Sequence, residues 1–161
     1  MSSEHSQPIL SIVESHTDTI SNLTFHASMP VGSATSNKPS ESSYEVKLIS
    51  SSTDGLINII DPNISEEEDA VVTTLNNRNA VQYLVPFTGA DRKLLESGQV
   101  CTISQDEKMS VHIVAEPASE DVRSDPEPID VREELKCDYA LGLREPQGGG
   151  PVVLVVGAFK E

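Results

Sequence analysis

An all-β architecture is predicted for this chain by three features of its sequence. The apolar residues fall in short runs rich in β-branched side chains, turn-forming residues separate those runs, and one strand–turn–strand pattern occurs twice. In order, the runs are Ile9–Val13, Ile20–Phe25, Val46–Ile49, Leu56–Ile60, Ala70–Leu75, Ala80–Val85, Val100–Ile103 and Met109–Val114. Asp, Asn, Gly, Ser and Pro punctuate them, each a residue that favours turns. Strands this short, at near-regular spacing, point to a sandwich, barrel or propeller. One segment carries a competing helical signal. Val131, Leu135 and Tyr139 fit a single helical stripe, whereas Leu141 and Leu143 continue at the period of a strand.

Three polar stretches interrupt the strands. Ala27–Ser43 is rich in Ser and Pro and reads as a flexible loop. Glu66–Asp69 follows the turn Asp61-Pro62-Asn63. Glu116–Glu134 is acidic and contains Pro117, Pro126 and Pro128; it offers too little apolar surface to offset the entropy of ordering it, and reads as a mobile connection. Ser65, Ser104 and Ser124 each have an acidic residue three positions on, which suits an acid-directed kinase, although plain exposed serines account for the pattern more economically. Asn22-Leu23-Thr24 and Asn63-Ile64-Ser65 match a glycosylation sequon, a motif common by chance.

Composition narrows the function classes. The chain has 161 residues and a net charge of −15, enough for one domain or slightly more. Such acidity repels a phosphate backbone and an anionic membrane surface, so neither nucleic acid nor membrane is an expected partner. The longest apolar run, Pro151–Val156, falls far short of the roughly 20 residues of a membrane helix. The opening MSSEHSQPIL has neither the basic nor the apolar region of a secretory signal, which places the expected setting in the cytoplasm or nucleus. Cys101 and Cys137 are therefore expected as reduced packing thiols.

The repeat emerges when Leu48–Asp61 (LISSSTDGLINIID) is set above Val100–Ile113 (VCTISQDEKMSVHI). Ser50 meets Thr102, Ser52 meets Ser104 and Asp54 meets Asp106, after which Ile57 meets Met109 and Ile59 meets Val111. Each copy is a hydroxyl-bearing strand, a tight turn centred on Asp, and an alternating strand. Upstream of the first copy, His16-Thr17-Asp18 runs into Ile20, Leu23, Phe25 and His26. Together with Ser50, Asp54-Gly55, Ile57 and Ile59-Ile60-Asp61, this series resembles one repeat of the WD-repeat β-propeller family, with Ile60-Asp61 in place of the usual Trp-Asp.

The resemblance implies a partial WD-repeat β-propeller of about two blades plus part of a third, with acidic and Ser-rich loops. Its expected divisions are a disordered N-terminus over 1–7, two WD-like blades over 8–115, an acidic Pro-containing linker over 116–128 and an incomplete further blade over 129–161. Ile9–Val13 fits the outer strand of a preceding blade. With both flanks open, the expectation is a shortened gene product or a section of a larger propeller, self-associating through its open blade edges.

The family's blades are fastened by a hydrogen-bond chain: a His before the inner strand, a Ser or Thr on the second strand, an Asp in the turn and a Trp on the third strand. Carried over, the first blade offers His16, Ser50 and Asp54, with Ile60 at the Trp position, so its chain is expected to end early. The second offers Thr102, Asp106 and His112, with His112 at the Trp position and only Asn76-Asn77-Arg78-Asn79 where Gly-His would stand. The resemblance also implies a non-enzymatic scaffold that docks other proteins through loops, here Ala27–Ser43, Pro86–Gly98 and 116–134. Charge favours a basic partner. No cofactor and no metal are expected. Two alternatives stand beside this reading: a fragment of a longer propeller without function of its own, and a small serine hydrolase using Ser50, His16 and Asp54. Against the hydrolase, Ser50 lies within a strand and lacks the flanking glycines of a nucleophile elbow. Gly148-Gly149-Gly150 precedes Pro151 with no Lys-Ser/Thr after it, and reads as a hairpin turn rather than a phosphate loop.

Overall fold

The computed structural model describes residues 14–28, 45–87, 98–114, 127–144 and 152–159. The run Ile9–Val13, the N-terminus over 1–7, most of the Ser-rich and acidic stretches, the tip of Pro86–Gly98 and the glycine triplet lie outside them. The architecture is all-β, as the alternating short runs require. A first antiparallel sheet has the order β1 (Ile20–Ser28), β2 (Glu45–Ser52), β3 (Leu56–Ile60), β4 (Val71–Asn76). A second repeats that meander with β5 (Val81–Phe87), β6 (Gln99–Ser104), β7 (Lys108–Ile113) and β8 (Ile129–Asp130). A hairpin of β9 (Tyr139–Arg144) and β10 (Val153–Gly157) follows. Two sheets and a hairpin of this kind are the pattern of a partial propeller.

The sheets stack because each interior strand is apolar on the side that meets its neighbour. Ile49, Ile57, Ile59 and Leu75 of the first sheet cluster with Val81, Leu84, Val100 and Val114 of the second unit. Full burial of one such aliphatic side chain contributes about 1.5–3 kcal/mol, so this seam is the main cohesive element of the described fold. The first strands lie next to one another in series, β1 against β5 and β5 against β9. Pro86 is accommodated because β5 has a ladder partner on one side only, where a missing N–H costs nothing.

The two tight turns use the same backbone conformation at equivalent positions. Gly55 (φ 83°) follows Asp54 and Glu107 (φ 62°) follows Asp106. A side chain at position 55 would press on the backbone of Arg78 at 3.2 Å, and the Gly55 carbonyl instead accepts from Asn77 N at 2.8 Å. Glu107 carries a side chain there and uses it: Oε2 accepts from Ala140 N at 2.9 Å, tying the second turn to β9.

Local departures from the sequence reading have physical causes. The helical stripe proposed for 131–143 survives only as α2 (Val131–Leu135). Asp130 caps it by accepting from Arg132 N (3.0 Å) and Glu133 N (3.4 Å), and Lys136 (φ 50°) stops it, after which the strand period of Leu141 and Leu143 prevails. Glu67–Ala70, within the acidic run, forms the single turn α1 ahead of β4. Ile129–Asp130 completes the second sheet, so the segment from 129 serves that sheet as well as the hairpin beyond it. Cys101 and Cys137 are free thiols; Cys101 is buried, which pushes its pKa up and keeps it protonated.

Candidate functional site

The first blade's polar centre is built from three elements. His16, on the segment leading into β1, is brought over the sheet so that Nε2 lies 2.8 Å from Ser50 Oγ on β2. Its Nδ1 lies 3.3 Å from Oδ2 of Asp54, in the turn between β2 and β3. An ionised carboxylate can only accept, so Nδ1 carries the proton and Nε2 accepts from the Ser50 hydroxyl. Asp54 also accepts from Leu56 N (2.8 Å) and Thr17 N (2.9 Å). Burial alone would raise its pKa, but the Leu56 and Thr17 amides together with His16 hold the carboxyl below the usual value.

Ile60, at the position of the family's Trp, is buried and contributes no polar atom. The network nevertheless continues through Asn58, which pairs with Ser50 across the ladder. Asn58 Nδ2 donates to Ser15 O at 2.5 Å and lies 3.5 Å from His16 Nε2, while Oδ1 accepts from Thr74 Oγ1 on β4 at 2.7 Å. The cluster thus spans β2, β3 and β4 and holds down the strand entering β1. Sequence reasoning passed over Asn58. The signal was an amide at the centre of Leu56–Ile60, a strand apolar on both faces, where a buried polar group must be paired.

The second blade solves the same problem with Asn77 in the place of the His. Asn77 Oδ1 accepts from Thr102 Oγ1 at 2.7 Å and from His112 Nε2 at 3.0 Å, and Nδ2 donates to Asn79 O at 2.9 Å. All three side chains are buried. Asp106 is separate from this trio: Ser104 Oγ, Asn79 Nδ2 (3.2 Å) and Lys108 Nζ (3.1 Å) surround it. Burial works to raise the Asp106 pKa, and Ser104 and Lys108 outweigh it, so the carboxyl sits below its ordinary range.

A further pair was not singled out from the sequence. Lys47, buried on β2, donates to Asp61 Oδ2 at 2.7 Å, and Asp61 also accepts from Asn63 N at 2.9 Å. Burial pushes Asp61 up, but Lys47 and Asn63 bring it below the usual carboxylate value. The sequence shows a Lys between Val46 and Leu48, but its meeting with Asp61 follows from the register of β2 on β3.

The arrangement can fasten strands, and it is poorly disposed to break bonds. Ser50 is 2% exposed and sits on an interior strand laddered to Leu23 on one side and Asn58 on the other. A nucleophile needs an approach for substrate and donors for an oxyanion, and a buried hydroxyl covered by His16 offers no such approach. Among the described residues, no group of three or more His, Cys, Asp or Glu side chains is placed to hold a metal ion.

No protein-family model matches the chain, and neither does any solved structure. Its sequence is similar to the uncharacterized WD repeat-containing protein YNL035C of Saccharomyces cerevisiae, 28% identical over 141 residues. That match covers 84% of this chain and 29% of the yeast protein, so the chain spans less than a third of that relative's length. The likeness points to the WD-repeat family.

Proposed function

We propose that this chain is a non-enzymatic protein-interaction scaffold of the WD-repeat type, in which the His16–Ser50–Asp54 and Asn77–Thr102–His112 groups clamp strands so that loops can dock partners. The observation that carries this is the enclosure of Ser50, whose hydroxyl is spent on His16 in the interior of a sheet. The similarity to a yeast WD repeat-containing protein supports the same reading. We read SSTDGLINIIDPNISEEEDAVVTTLN as resembling WD repeat-containing protein 89 and its fungal relatives. Docking through Ala27–Ser43, Pro86–Gly98 and 116–134 would favour a basic partner, given the net charge of −15.

Two experiments test this together. The full chain is immobilised, and a partner retained at low salt is re-measured at high salt and against a chain whose residues 31–41 are replaced by a Gly-Ser linker. The scaffold reading expects saturable binding that the linker variant loses; salt-indifferent binding would remove the charge argument alone. In parallel, a serine-reactive fluorophosphonate is expected to leave Ser50 unlabelled. Stoichiometric labelling of Ser50 would overturn the scaffold reading in favour of a hydrolase.

A second reading is favoured by one surface. Leu23 (61% exposed) and Phe25 (68% exposed) stand on β1, the strand that should be innermost in its sheet. Such a face belongs against another sheet, which supports action as a section of a larger ring or self-association. A compact, cooperatively melting monomer in sedimentation would count against it.

A further inference from the structure

Three serines share the spacing that an acid-directed kinase reads, and the fold separates them. Ser104 is buried, and its hydroxyl contacts Asp106 Oδ1 and the backbone of Lys108, so it is closed to an enzyme. Ser124 lies outside the described residues. Ser65 is exposed, between the Asp61-Pro62-Asn63 turn and α1, and its hydroxyl makes no hydrogen bond to a described residue. We propose that Ser65 is a phosphoacceptor site for an acid-directed serine/threonine kinase.

The surroundings of Ser65 meet the physical demands of that chemistry. A kinase groove takes its substrate extended, and Glu66 already has extended dihedrals (φ −87°, ψ 123°). The next residues are in helix α1, but it has only four residues, no side-chain cap and three acidic residues against no basic one. A single turn of this kind lies far below the length at which a helix holds itself together. Its hold on the fold is at Glu67, which accepts from Glu14 N at 2.7 Å, and at buried Ala70, which accepts from Asp61 N at 2.8 Å, whereas Ser65 lies ahead of both. Glu66, Glu68 and Asp69 are all exposed and offer their carboxylates to a basic substrate groove. In the transfer, Ser65 Oγ bonds to the γ-phosphorus of a nucleoside triphosphate as the bond to the β-phosphate oxygen breaks. The hydroxyl proton passes to the kinase's base and a nucleoside diphosphate leaves. The product adds roughly 1.5–2 negative charges beside four existing carboxylates, concentrating acidity on one exposed corner of the first sheet.

This inference does not rest on the scaffold reading. The test incubates the full folded chain with casein kinase II and radiolabelled ATP and locates the phosphate by tandem mass spectrometry. Phosphate on Ser65 is expected, absent from Ser65→Ala and from Ser104. Glu68→Gln should slow transfer by about tenfold, the loss typical of one charge-assisted contact. Circular dichroism melts of both variants should match wild type, because both side chains are exposed. Three results overturn the proposal: an unlabelled Ser65 in the folded chain, labelling of Ser65 only in denaturant, or labelling unaffected by Glu68→Gln.

Discussion

Replacing Asp54 with Ala should reveal how much of the first blade hangs on one carboxylate. Its two oxygens accept from Leu56 N at 2.8 Å, Thr17 N at 2.9 Å and His16 Nδ1 at 3.3 Å. Hydrogen bonds to a charged group contribute about 1.5–3 kcal/mol each in isolation. Three on one carboxylate are not additive, so a loss of about 3 kcal/mol is the expected total. Domains are stable by only about 5–15 kcal/mol, which makes this a substantial fraction. In a chain of this size it corresponds to a fall in Tm of about 10 °C. The assay is urea unfolding of the full chain followed by far-ultraviolet circular dichroism, with an unchanged slope, so that midpoints report stability alone. Asp54→Asn retains one acceptor oxygen and should lose less than Asp54→Ala, while Asp69→Ala, on the exposed turn α1, should be near wild type. If Asp54→Ala stays within about 0.5 kcal/mol of Asp69→Ala, the clamp does not operate and the reasoning fails.

Asn77→Ala should cost about 2–4 kcal/mol in the same urea assay, because it strips the acceptor from a buried Thr102 hydroxyl and a buried His112 N–H; a value near zero would show that His112 and Thr102 are otherwise satisfied. Lys47→Met should cost about 2 kcal/mol, less than a fully enclosed pair would because Asp61 keeps some access to water, and it should move the Asp61 carboxyl, followed by carbon-13 NMR titration, upward. The carboxyls of Asp54, Asp61 and Asp106 all lie below the ordinary 3.8, so their stabilisation is complete above the unfolded value and disappears as pH falls through the folded ones. Tm should therefore be flat from pH 7 to about 5 and drop below about 4, and a double Asp54→Asn, Asp61→Asn variant should show a shallower acid limb.

The strands were legible because their cause is local. Ile, Val and Thr runs broken by Asp-Gly or Ser-x-Asp specify extended backbone and tight turns without reference to the rest of the chain. The meeting of His16 with Ser50 and Asp54 was implied by the resemblance to the WD-repeat pattern, not by local propensity or by the repeat, which does not reach His16. Asn58 and Lys47 were not legible by that route. Their partners, Thr74 and Ser15 for one and Asp61 for the other, are set by strand register across the sheet, and register is a property of the paired strands rather than of any short motif. The helical signal at 131–143 failed for a related reason. Its stripe is genuine, but Asp130 and Lys136 bracket it after five residues, and cap residues outweigh periodicity in a segment that short.

The two blades show that the constraint acts on a role and not on a residue type. In each, a hydroxyl on the second strand lies in the sheet interior, Ser50 or Thr102, and an unpaired hydroxyl there would be costly. In the first blade the imidazole of His16 accepts a hydrogen bond from that hydroxyl; in the second, the amide oxygen of Asn77 does. The third-strand contribution also moves. Where Ile60 offers nothing polar, Asn58 two pairs along the ladder reaches back to Ser15, whereas His112 stands at the position equivalent to Ile60 and reaches Asn77 directly. In the first blade the polar contact is thus made by Asn58, two residues from Ile60, and in the second by His112 itself. On this argument, an apolar residue in place of Asn58 would take the amide partner from Ser15 O and Thr74 Oγ1, whereas one in place of His112 would leave Asn77 Oδ1 with Thr102 alone.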